Sequence, residues 1–216
     1  AADRNASVDL VGRDVNWKCR NYNLSGQAFD VNTQTESYPE LFLPLLGKHQ
    51  TINAATAIAC IQRIRASGYA ISKASVYDGL KDARLPGRQQ LVGHRPSILL
   101  DGAHSPASVE MLCDTISEVF RHENLILVAG FMRDKDLRGI GQLLCPIADT
   151  IIATQVHDNP RATSAEEIVH TWSDIGSDFR ISPSVSNAIE VAKSVASPSD
   201  LICITGSLIL IGEAMQ

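Results

Sequence analysis

The sequence predicts an α/β chain in two parts: an antiparallel meander with two helices, then a mostly parallel sheet with helices on both faces. Three observations carry this reading. Residues 7–45 alternate with the period of half-buried strands, and Asn23-Leu24-Ser25-Gly26 marks a turn between two of them. Leu85-Pro86-Gly87-Arg88 then interrupts the pattern and is the expected boundary. Beyond it, short apolar runs alternate with helical stretches, a rhythm that implies parallel strands joined by crossover helices.

In the first part, strands are expected at 7–11, 15–22, 25–32 and 40–45. Residues 50–66 follow as a helix, because Ile52, Ala55, Ala59, Ile61 and Ile64 give a broad apolar face that stops near Gly68. A second helix is expected over 72–83, with Ser72 as its N-cap. Such a meander needs a further layer to cover a face, so this part reads as the tail of a larger domain. In the second part, strand 97–100 leads to helix 106–121, and strand 124–129 to helix 135–144. Strand 148–154 leads to helix 164–172, strand 179–181 to helix 184–195, and strand 201–205 to the short helix 208–215. No internal repeat or low-complexity tract interrupts this order.

Composition narrows the class. With 216 residues, 44 % of them hydrophobic, the chain is long enough for one or two domains with real cores. A formal charge of −5 argues against a surface built to grip nucleic acid or an anionic membrane. The five cysteines are scattered and form no Cys-x-x-Cys, so neither a zinc site nor a redox pair is signalled. They read as reduced thiols of a cytoplasmic protein. No basic stretch followed by an apolar run opens the sequence, and no apolar run is long enough to span a bilayer.

The chemistry is expected where strands end. Asp101-Gly102-Ala103-His104-Ser105-Pro106 follows an apolar run, turns on glycine, and opens a helix with Ser105 as N-cap and Pro106 at the first helical position. In a parallel sheet the carboxyl ends of the strands share one edge, where ligands bind. The loops beginning at Gly130, which contains Lys135, at Thr154 and at Gly206-Ser207 should therefore converge with that of Asp101 and His104. Gly47-Lys48-His49 is not a phosphate loop, since no Ser or Thr follows the lysine, and no Gly-x-Gly-x-x-Gly occurs. His94, His122, His157 and His170 lack metal-ligand spacing.

Four segments together resemble the C-terminal half of the folylpolyglutamate synthase/dihydrofolate synthase family, relatives of the Mur ligases. They are residues 46–55 (Leu-Gly-Lys-His-Gln-Thr-Ile-Asn-Ala-Ala), Pro86-Gly87-Arg88, residues 101–106, and Thr205-Gly206-Ser207-Leu208. The resemblance implies that residues 1–86 are the end of a central ATPase domain and 87–216 a Rossmann-like C-terminal domain. It implies an ATP-driven amide ligation of L-glutamate to a reduced folate through an acyl phosphate, in folate and one-carbon metabolism. The P-loop portion of the ATPase domain would then be a partner this chain lacks, along with the Mg2+ ligands, and the chain alone would be inactive. By resemblance Asn53 contacts adenine, Arg88 the ATP phosphates and Asp101 the ribose end. His104 and Ser207 line the glutamate site, and Lys135 stands near the transferring phosphate, making His104 and Lys135 the catalytic pair. Ser105, Gln89-Gln90 and Ile209 depart from the family pattern, on the substrate side. A Mur-type amino-acid ligase and a non-catalytic module that holds a nucleotide or amino acid are the alternative readings.

Overall fold

The computed structural model describes residues 8–176 and 178–216. The chain divides into two compact units, one running to Arg84 and the other Leu85–Gln216.

The first unit holds an antiparallel sheet in the order β1 (Val15–Asn23), β2 (Gly26–Thr33), β3 (Ser37–Leu43), followed by helices α1 (His49–Ala66) and α2 (Lys73–Lys81). Alternate residues of β2 and β3, among them Phe29, Val31, Leu41 and Leu43, meet Ala54, Ala55 and Ile58 of α1 and Val76 of α2 in one core. Ser72 caps α2 by accepting from the Ser75 amide at 3.0 Å. The expected strand at 7–11 is a correction: residues 8–10 form no strand and Val11 makes only an isolated bridge, while Ser7 lies outside the described residues. Its residues turn instead, because the Asp14 carboxylate draws back the Leu10 amide at 2.9 Å. The last strand comes earlier than the expected 40–45, because Pro44 cannot donate to a ladder.

The second unit is a six-stranded sheet in the order β4-β5-β9-β6-β7-β8. Its strands are β4 (Gln90–His94), β5 (Ser97–Asp101), β6 (Leu125–Ala129), β7 (Thr150–Ala153), β8 (Asp178–Ile181) and β9 (Leu201–Thr205). All pairings are parallel except β4 with β5. The central strands β6 and β9 are buried along their whole length, as a sheet covered on both faces requires. Helices α3 (Pro106–Val119), α4 (Leu137–Leu144) and α5 (Ala165–Trp172) connect β5 to β8, and α6 (Val185–Val195) and α7 (Leu208–Ala214) flank β9 in the chain. Ile126, Val128, Ile202 and Ile204 pack with Val185, Ala188 and Ala192 of α6 and with Leu210 and Ile211 of α7. The alternating residues Leu125, Leu127 and Cys203 point to the opposite face. There Trp172, fully buried, donates to the Leu137 carbonyl at 2.6 Å and meets Phe131 edge to face.

Strand β4 was not expected. It is an edge strand of mixed polarity whose pairing with β5 slips between Leu91 and Gly93, so it carries no clean alternation. At the far edge, β8 is short and mostly exposed, and its Asp178 and Arg180 pair at 3.4 Å. Helix α4 starts at Leu137 rather than 135, because the Asp136 side chain caps it by accepting from Gly139 at 2.9 Å.

Candidate active site

The carboxyl ends of four strands lie side by side. Asp101 is the register partner of Thr205, Thr205 of Ala129, and Ala129 of Ala153. Adjacent strands lie about 4.8 Å apart, so the loops that follow leave the sheet within roughly 14 Å of one another. These loops also interlock. The Gly130 amide donates to the Thr205 carbonyl at 3.2 Å, and the Thr205 hydroxyl to the Ala103 carbonyl at 3.4 Å. Gly206 has φ +125°, and a Cβ there would overlap the Gly130 carbonyl, so two loops touch main chain to main chain.

Asp101 is 5 % exposed. Its Oδ2 accepts from the Gln89 amide and its Oδ1 from the Ala103 amide, each at 2.8 Å. Burial pushes its carboxyl above the usual value. The two amides and the positive charge of Arg88 pull it down without cancelling that effect. Arg88 is half-buried and sits between two anchored neighbours. The Gly87 carbonyl accepts from the Gly102 amide at 2.9 Å, and Gln89 is held by Asp101.

His104 is half-buried, and its Nδ1 lies 2.8 Å from the Gly102 carbonyl. A carbonyl oxygen can only accept, so Nδ1 carries the proton and Nε2 is left as an acceptor in the neutral ring. Ser105 next to it caps α3 in a reciprocal box with Ser108. Ser207 is 7 % exposed, and its Oγ accepts from the Leu210 amide at 3.0 Å as the cap of α7. Its hydroxyl hydrogen is still available to donate. Lys135 follows β6, and its Nζ lies 2.8 Å from the Asp134 carboxylate, which that hydrogen bond holds below the usual carboxylate range. A Cβ on Gly139 would lie 3.1 Å from Pro106, so the start of α4 abuts the start of α3 beyond His104.

The structure thus brings Arg88, Asp101, His104 and Ser207 to one edge, with Lys135 on the adjoining loop. Asn53 is in the first unit, on an exposed position of α1, where its amide donates to Gln50 at 3.1 Å. Sequence reading missed Gln89, which is 3 % exposed and has φ +46°. Gln89-Gln90 stand out in the sequence only as a departure from the family pattern, whereas the role of Gln89 here is that of its main-chain amide. It also missed a cleft of about 440 Å³ lined by Arg133, Gln155, Asp158, Asn159 and Ser164 on the loops after β6 and β7. The buried hydroxyls of Thr154 and Thr163, in the same stretch, find no partner among the described residues. Among the described residues no group of three His, Cys, Asp or Glu side chains is placed to hold a metal ion, and no helix is long and apolar enough to cross a membrane.

Residues 87–208 match the family model described as "Mur ligase, glutamate ligase domain". The dihydrofolate synthase/folylpolyglutamate synthase of Escherichia coli K12 is 29 % identical over 207 residues, covering 96 % of this chain and 46 % of that protein. The protein of the same name from Bacillus subtilis is 30 % identical over 190 residues, covering 88 % of this chain and 44 % of its own length. A Mycobacterium tuberculosis folylpolyglutamate synthase, solved with ADP and AMPPCP, superposes with a TM-score of 0.88 at 26 % identity, over 99 % of this chain and 50 % of that one. The chain spans about half the length of these relatives.

Proposed function

The chain belongs to the Mur ligase family through its glutamate ligase domain, and we propose that it is the C-terminal portion of an ATP-dependent ligase that joins L-glutamate to a folate. One observation carries the reading: a folylpolyglutamate synthase holding ADP and AMPPCP shares this fold along 99 % of the chain. On it, residues 1–86 are the end of the ATPase domain and 87–216 the C-terminal domain. Five free thiols suit the cytoplasm.

The reaction requires ATP held against an acid, and an amine delivered before water. Asn53 meets the adenine and Asp101 stands at the ribose end. Arg88 pairs with phosphate oxygens, for which a planar guanidinium on an anchored turn is well shaped. Lys135 exchanges Asp134 for the transferring phosphate. A folate carboxylate oxygen bonds to the γ-phosphorus, the bond from that phosphorus to the β,γ-bridging oxygen breaks, and ADP leaves with the electron pair. The glutamate nitrogen then bonds to the acyl carbon, the carbon–oxygen bond to phosphate breaks, and phosphate leaves with the electron pair. The nitrogen sheds its extra proton to an acceptor, and His104 Nε2 is held in the tautomer that can take it. Ser207 donates its hydroxyl to a glutamate carboxylate. Among the described residues no cluster of three His, Cys, Asp or Glu side chains is placed to hold Mg2+.

The test is incorporation of labelled L-glutamate into a reduced folate. The expected result is turnover when the chain is joined to a P-loop-bearing ATPase portion and none from the 216 residues alone. In the joined enzyme Arg88→Ala should lower kcat/KM for ATP roughly 100-fold, the scale of a lost charge-assisted phosphate contact. Turnover by the chain alone, or an unchanged Arg88→Ala enzyme, overturns the reading.

A further inference from the structure

We propose that Asp101 is the positioning residue of the site: its one carboxylate ties the turn that carries Arg88 to the turn that carries His104, and so sets both side chains at once. The argument begins with burial. A carboxylate that is 5 % exposed is costly to keep ionised, and the fold retains it at the end of the strand where the four loops converge.

Each oxygen then has its own task. Oδ2 accepts from Gln89, the residue immediately after Arg88. Gln89 adopts φ +46°, a conformation that a side chain other than glycine disfavours and that the surroundings must hold in place. Without this acceptor its buried amide would have no partner in the turn. Oδ1 accepts from Ala103, the residue immediately before His104, and closes a tight turn over Gly102. A third hydrogen bond, from the Gly102 amide to the Gly87 carbonyl at 2.9 Å, locks the two turns to each other. The same Gly102 supplies the carbonyl that selects the His104 tautomer. The guanidinium and the imidazole thus hang from a single acid through main chain alone, and Asp101 needs no contact with a nucleotide to orient either. Its consequence for catalysis rests on the ligase reading above, but the coupling of the two turns does not.

The experiment is nuclear magnetic resonance on the chain itself, without ATP or glutamate. In the unsubstituted protein, lowering the pH should move the Gln89 and Ala103 amide resonances together, with one shared midpoint, as the carboxylate takes up a proton. In Asp101→Ala, backbone order should fall in 86–89 and in 102–104 together. His104 should pass from the Nδ1–H tautomer to a mixture, with the remaining amide spectrum of residues 106–216 unchanged. Asp101→Asn, which keeps one acceptor, should lie between. A merely structural acid would lower the melting temperature and leave the His104 tautomer and the two turns as they were. That result, or separate midpoints for the two amides, overturns the proposal. The pH titration uses the unsubstituted chain, so separate midpoints overturn the proposal even if the variants fail to fold. Because no readout involves substrate, this proposal and the ligase reading fail by different results.

Discussion

Two acids occupy opposite ends of the same sheet and both expose little surface, yet Asp101 sits deep in the fold and Asp200 near its rim, and the two are held in opposite states. Asp101 ends β5 at 5 % exposure, and Asp200 precedes β9 at 4 %. Asp200 accepts from the Ser197 amide at 2.7 Å and from both the backbone and side-chain nitrogens of Asn124, at 3.1 and 2.9 Å. Burial pushes its carboxyl up, but these donors outweigh it and hold the acid below the usual range. Asp101 lies deeper and has two amides where Asp200 has three donors, so burial wins and its carboxyl lies above that range. The amino end of the sheet spends its acid on joining loops. The carboxyl end keeps one under-solvated acid beside Arg88 and His104, and such a mismatch is common where a fold is arranged for chemistry rather than stability.

Substitutions can break or sharpen this contrast. The largest effect is expected from Asp200→Ala, which strands three donors and should lower the unfolding free energy by about 3 kcal/mol in a urea titration. Asp101→Ala strands two amides but also removes a poorly solvated charge, so its loss should be smaller, about 1.5 kcal/mol. Equal losses would erase the distinction between the two ends. Ser207→Ala removes the cap of α7 and should cost about 1 kcal/mol by the same measurement.

Acidity offers a subtler comparison, because the two acids have opposite signs. The stabilisation from Asp200 is present above the usual carboxylate value of 3.8 and is lost as pH falls through its lowered folded value. The contribution of Asp101 is fully present below 3.8 and is lost as pH rises through its raised folded value. Urea midpoints followed between about pH 3 and 7 should therefore show Asp200→Asn flattening the acid-side loss. Asp101→Asn should instead remove a loss that grows toward neutrality. The smallest effect belongs to neither end. Arg138 and Asp174 pair at 2.7 Å with more than half of each side chain in solvent, so Arg138→Ala should leave the melting temperature unchanged within error.

The sequence made the parallel sheet legible because its strands are continuous apolar runs and its helices begin at Ser105, Ser164, Ser184 and Ser207, each an N-cap in the structure. Where local chemistry was weaker, the reading slipped. Strand β4 is held by pairing with β5, a tertiary fact that Gln90 through His94 do not advertise. Alternation over 7–11 predicts a strand because it cannot see the Asp14 carboxylate drawing back the Leu10 amide. At the site, Asp101, His104 and Ser207 stood out by residue type at strand ends. The role of Gln89 did not, because it depends on a backbone amide and a left-handed φ, neither of which has a side-chain signature. The cleft beside Arg133 was likewise hidden, since a polar loop on paper looks the same whether it is concave or not.

The two flanks of the large sheet are dressed differently, and this governs how molecules of this chain meet one another. One flank ends in the β4–β5 hairpin, whose slipped pairing between Leu91 and Gly93 spoils the straight row of amides that an incoming strand would need. The other ends in β8, only four residues long, with Asp178 and Arg180 planted on it. Neither border offers a flat, greasy template. This sheet should therefore resist edge-to-edge pairing with a second copy of itself.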